Sequence, residues 1–121
     1  MKVIIDFIED VREHIGNREN FIITAMLLKE DKEDASKLVY SGETPLRSFY
    51  LDDKRQELKF KIDASEDRLS IGQVIPSLLI LGMDKMMYQL KINVNSVYND
   101  VEVVGFGKNE EEEKYILFLK I

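Results

Sequence analysis

In three stretches of this chain the buried-type residues recur at every second position, and that period confines most of the chain to β-strands. Tyr88, Leu90, Ile92 and Val94 alternate with Gln89, Lys91, Asn93 and Asn95, the pattern of a strand with one face in the core and one in water. Leu58, Phe60 and Ile62 alternate with Lys59 and Lys61, and Tyr115, Leu117, Leu119 and Ile121 share one face of the last stretch. Residues 21–28 are β-rich and almost continuously apolar, which predicts a strand covered on both faces. Shorter strands are expected at 38–41, closed by Gly42 with a turn at Thr44-Pro45, and at 48–51 and 101–106. Asp52-Asp53-Lys54-Arg55 reads as the turn of one hairpin and Glu110-Glu111-Glu112-Glu113 as the solvated tip of another.

Two segments depart from this period. Ile4, Phe7, Ile8, Val11 and Ile15 recur at steps of three and four, with Asp6, Glu9, Asp10, Arg12 and Glu13 opposite them. This predicts an amphipathic helix over residues 1–16, stopped by Gly16-Asn17. Its apolar face packs on the chain's own sheet or on a partner, a homodimer through this helix being one such arrangement. The longest apolar run, residues 71–83, contains Pro76. Pro fits the first turn of a helix, so a short buried helix is expected from about 76 to 81. Met83, Met86 and Met87 fill the core beyond it or offer an adaptable surface to a peptide. The fold class expected is α+β over a single domain, 1–121: a mainly antiparallel curved sheet around a short helix, plus the N-terminal helix.

The chemistry is restricted by what the 121 residues lack. There is no Cys and one His, which leaves no thiolate site, no Cys nucleophile and too few ligands for a zinc centre. No metal and no cofactor are expected. Seventeen Lys and Arg against 23 Asp and Glu give a net charge of −6, and the basic residues are scattered, which argues against nucleic acid as a partner. Gly105-Phe106-Gly107-Lys108 lacks the glycines, the hydroxyl and the helix of a phosphate loop. No apolar stretch reaches the ~18 residues of a membrane span. Asp6, Glu9 and Asp10 break the opening run, so no signal peptide is expected and the predicted location is cytoplasmic.

Several pieces resemble the FKBP-type peptidyl-prolyl isomerases. Gly72-Gln73-Val74-Ile75-Pro76-Ser77-Leu78 followed by Gly82-Met83 is similar to that family's V-I-P-G and G-M signature. Val39-Tyr40-Ser41-Gly42 resembles its early strand, and residues 92–98 its strand and loop ending in a pocket tyrosine. Phe118-Leu119-Lys120-Ile121 resembles the way many members finish. The likeness spans about residues 38–121. It departs from the family at Ser77 for the usual Gly, at Leu78 for the usual aromatic, and in a shorter segment before Met83. The resemblance implies an FKBP-like fold and a peptide-binding pocket formed by Tyr40, Phe49, Tyr50, Phe60, Val74, Ile75, Leu78 and Tyr98. Such a pocket works by fitting the twisted X-Pro amide, against a barrier of about 18–20 kcal/mol. It implies a protein or peptide partner and weak isomerase or chaperone activity.

A second expectation comes from a small, acidic, Cys-free and strand-rich chain without catalytic motifs. Asp31, Glu33, Asp34, Asp52, Asp53 and the run from Glu110 suit a non-enzymatic inhibitor of the toxin-immunity kind, binding a basic protein.

Overall fold

The structure, a computed structural model, describes residues 2–15, 20–34, 36–62, 68–80, 82, 88–94 and 96–121, and of residues 38–41 the backbone alone. The expected helix stop at Gly16-Asn17 and the three methionines at 83, 86 and 87 lie outside the described residues. The N-terminal helix is α1 (Lys2–Asp10), continued by a π-helical turn, Val11–Ile15. Strands follow as β1 (Ile22–Glu30), β2 (Leu38–Asp52) and β3 (Glu57–Ile62), then α2 (Ile71–Ile80). The chain closes with β4 (Gln89–Val94), β5 (Val97–Asp100), β6 (Glu102–Asn109) and β7 (Lys114–Lys120). No described helix is long and apolar enough to cross a membrane.

The seven strands form one sheet in the order β5-β4-β3-β2-β1-β7-β6. The class is α+β as expected, but the sheet is mixed. β1 runs parallel to β7 and β3 parallel to β4, while the other four neighbouring pairs are antiparallel. The reason at β3–β4 is the crossover. The chain between these strands passes through α2, a long enough return for β4 to re-enter in the direction of β3.

The sheet is also curled until its edges meet. Its two edge strands, β5 and β6, are consecutive in the chain and separated by Val101 alone, whose N–H donates to the Leu90 carbonyl at 3.1 Å. Opposite this corner, β2 performs the same service. Its residues 38–45 pair with β1 and its residues 46–52 with β3. The expected break at Gly42 and turn at Thr44-Pro45 are therefore corrected to one continuous strand. Gly42, at φ 121°, accommodates the bulge between Met26 and Leu28 of the partner register. Pro45 stands where β2 leaves β1 for β3, a place where a missing N–H costs little. Leu69 wedges into the split, donating to the Leu46 carbonyl and accepting from Ile23 N–H, at 2.9 and 3.1 Å.

Both helices fill the same side of the curl. Ile4 and Phe7 of α1 and Val74 and Leu78 of α2 meet Ile23, Leu46, Phe60, Leu90, Leu117 and Leu119 around an enclosed gap of about 10 Å³. A space of that size holds about one water at most. The apolar face of α1 and its π-helical turn is covered by the chain's own sheet: Ile4, Phe7, Ile8 and Val11 are all buried. Phe7 meets Phe106 and Tyr115 edge to face, and the Tyr115 hydroxyl donates to Asp10. Burial, the carboxylate of Asp10 and the charge of Glu110 all push the Tyr115 phenol far up, so it stays a donor.

The second helix begins at Ile71, five residues before the expected start. Ser70 and Gln73 make half of a capping box, with the Ser70 N–H donating to the Gln73 side-chain oxygen at 2.8 Å. Pro76 thus lies inside the helix, on its exposed side, four residues after Gly72. A glycine there is the residue least obstructed by the proline ring. Gly82, at φ 68°, ends this segment with its N–H donating to the Leu79 carbonyl. Ile80 is exposed, against the expectation of a buried helix from about 76 to 81. The hairpin tips stand as expected, with Asp52 and Asn109 accepting backbone N–H groups of Arg55 and Glu112.

Candidate functional site

The sheet's meeting edges leave a surface pocket of about 290 Å³. Its floor is apolar: Ile4 from the first turn of α1, Leu90 from β4, Val101 between β5 and β6, and Val103 from β6. These four also border the enclosed gap, so the floor of the pocket is the outer layer of the core. Its lip is polar. Gln89, Asp100 and Glu102 are exposed and Tyr88 is half-buried.

Local structure explains how each is held. Gln89 donates its N–H to the Gln56 carbonyl at 2.9 Å, and the Tyr88 hydroxyl donates to Asp53 at 3.0 Å. Both bonds tie the start of β4 to the β2–β3 turn. The bond to Asp53 raises the Tyr88 phenol above its usual range. Asp100 lies 3.1 Å from Lys91, which also reaches Glu57 at 3.6 Å, and Glu57 in turn reaches Lys59. Asp100 and then Glu57 hold the Lys91 ammonium above its usual range. The Glu102 carboxylate makes no hydrogen bond or ion pair with any described residue, although its backbone belongs to the β6–β7 ladder. Lys120, opposite it in register, turns instead to Glu30 at 3.1 Å.

The eight residues implied by the resemblance separate into several places. Phe60, Val74 and Leu78 share the enclosed gap, and Ile75 is buried in the same core. Phe49 is half-buried against that core, 6.4 Å from Phe60 between ring centres. Tyr50 and Tyr98 are on the opposite, outward face, 59% and 39% exposed, where the Lys59 ammonium lies over both rings. The side chain of Tyr40 lies outside the described residues. Tyr98, expected in a loop, belongs to β5. Asn93 accepts the Ser96 N–H at 3.1 Å and Ser96 adopts φ 68°, which turns the chain tightly enough for β5 to pair back on β4.

The pocket at the meeting edges is absent from the sequence reading. Its one sequence signal is that residues 97–104 contain no Gly or Pro, consistent with a strand that runs on from one edge to the other.

A second concavity, about 520 Å³, is polar and lies over β1, β2 and β7. Lys114 sits between Glu43 and Glu112 at 2.8 and 2.6 Å, and the buried Thr24 hydroxyl donates to Glu43 at 2.9 Å. These groups satisfy one another, so the cluster reads as a clasp across three strands. The Lys114 hydrogen bond holds the Glu43 carboxyl below the usual glutamate range. A lowered folded value stabilises the fold above the ordinary glutamate range, and that contribution is lost as pH falls through the lower folded value. Acid unfolding followed by circular dichroism is expected to show a shallower pH dependence in Glu43→Gln; an unchanged profile would remove the clasp's role. Among the described residues, no group of three or more His, Asp or Glu is placed to hold a metal ion.

Comparison of the chain with protein families, with curated proteins and with solved structures finds no match.

Proposed function

We propose that this chain is a peptide-docking module that takes one apolar side chain of a protein partner into the pocket at the meeting edges of its sheet. The observation that carries this reading is an open apolar floor, Ile4, Leu90, Val101 and Val103, beneath a polar lip. Size decides between kinds of ligand. Sites for whole small molecules run from about 300 to 1,000 Å³, and 290 Å³ sits at the lower end, where a single side chain fits. Burying one Leu or Phe side chain contributes about 1.5–3 kcal/mol, less than the roughly 4 kcal/mol of a millimolar complex. Contacts from the lip and from flanking backbone must add to it, and an isolated peptide is expected to bind in the micromolar to millimolar range.

The test is an NMR titration of the labelled chain with Leu- and Phe-containing peptides. Shifts are expected at the amides of Gln89, Leu90, Val101 and Val103, and Val101→Phe, which fills the pocket, should weaken binding about tenfold or more. Shifts confined to other faces, or none at millimolar peptide, would remove the reading.

The FKBP resemblance supplies a narrower version in which the bound residue is proline and α2 against the curved sheet twists its amide. Its support is that Phe60, Val74 and Leu78 converge on one gap. That gap holds about 10 Å³, so a proline ring enters only if α2 moves outward. A protease-coupled isomerisation assay separates the two: docking at the meeting edges requires no acceleration, and the isomerase version does.

A further inference from the structure

We infer that the segment docked there carries a Lys or Arg two residues from its apolar anchor, held by Glu102 and Asp100; this rests on the docking reading above. The two carboxylates flank Val101, a floor residue, on either side in the chain. Successive residues of a strand point to opposite faces. Val101 and Val103 therefore turn to the floor while Asp100 and Glu102 turn outward to the lip.

The charge at the lip is unbalanced. The Glu102 carboxylate has no hydrogen bond or ion pair among the described residues, and Lys120, the cation across from it, is engaged with Glu30. Lys91 answers Asp100 but is shared with Glu57. Asp53 is the acceptor of the Tyr88 hydroxyl, which places a third carboxylate behind the same lip. An approaching cation finds an open carboxylate in Glu102; an approaching anion finds repulsion. The net charge of −6 acts in the same sense at longer range and steers a basic partner toward the chain. Spacing follows from an extended ligand, in which residues i and i±2 lie on the same side, roughly 6–7 Å apart. With residue i in the pocket, residue i±2 reaches the lip, whereas i±1 faces away.

Three peptides identical except at the second residue after a central Leu test this: Lys, Gln or Glu at that position, titrated by NMR or fluorescence anisotropy at low salt. Exposed ion pairs of this kind change affinity by about two- to fivefold each. Binding is expected to be tightest with Lys and weakest with Glu, and the Lys advantage should disappear in Glu102→Gln/Asp100→Asn and at high salt, where charges are screened. Thermal melts establish that the variant is folded, which the exposure of both carboxylates favours. Equal binding of the three peptides overturns the charge inference and leaves the docking reading standing. So does a Lys preference that survives in the double variant, because the cation is then read elsewhere. Failure of all three to bind at millimolar concentration removes the docking reading itself.

Discussion

Phe7→Ala is expected to lower the unfolding free energy by about 3–5 kcal/mol, the cost of emptying a large aromatic site in a packed core. Phe7 has no exposed surface and borders the enclosed gap between the helices and the sheet. Its ring stands edge to face with Phe106 at 5.6 Å and with Tyr115 at 5.2 Å, and such pairs add to the burial energy. Truncation removes these contacts and enlarges the gap, while α1 remains tied by the Tyr115 bond to Asp10. Against a typical total of about 5–15 kcal/mol, the loss is a large share of the fold's stability. Urea melts of the variant measure it, with Glu9→Ala on the exposed side of α1 as reference, expected within about 0.5 kcal/mol. Equal losses for the two would mean that α1 does not rest on the sheet.

The docking of α1 illustrates what was readable in advance. The three- and four-residue spacing of Ile4, Phe7, Ile8 and Val11 fixes which side of the helix is buried, because helical geometry puts those positions on one face whatever lies opposite. The spacing leaves open what that face meets, which is decided by Phe106 and Tyr115, about a hundred residues away. Alternation likewise identified the core faces of β3, β4 and β7, since period two is a property of the strand itself. Three features were hidden because a local signal had two meanings. Pro45 reads as a turn, yet it serves as the switch point where β2 exchanges one neighbour for another. Pro76 reads as a helix start, yet the Ser70–Gln73 cap had already begun α2. Asn93 and Ser96 read as a strand giving way to a loop, yet they turn the chain back into β5. The pocket at the meeting edges is the least local of all. Residues 4, 90, 101 and 103 come together only because the sheet curls through a full circuit, and no short pattern encodes that closure.

Ile92→Ala should cost about 2–5 kcal/mol, whereas Lys91→Ala, its neighbour in β4, should cost less than about 1 kcal/mol. Ile92 is fully buried between β3 and β5, opposite Phe60 in register, and its loss leaves a cavity in the concave side that the helices cover. Lys91 points the other way, to ion pairs with Asp100 and Glu57 on the outward face. Asp100 is largely exposed, with 80% of its side-chain surface in water, so solvent and salt weaken that pair, and the half-buried Glu57 keeps a second cation in Lys59. The two variants also separate by salt. The Lys91→Ala loss should shrink as salt rises, because screening weakens the wild-type pairs, while the Ile92→Ala loss should persist. The inward facing of Ile92 sets the parity of β4, and the same parity puts Leu90 on the pocket floor and Gln89 on its lip. Denaturant melts giving equal, salt-independent losses at 91 and 92 would reverse that parity, and with it the apolar floor on which the docking reading stands.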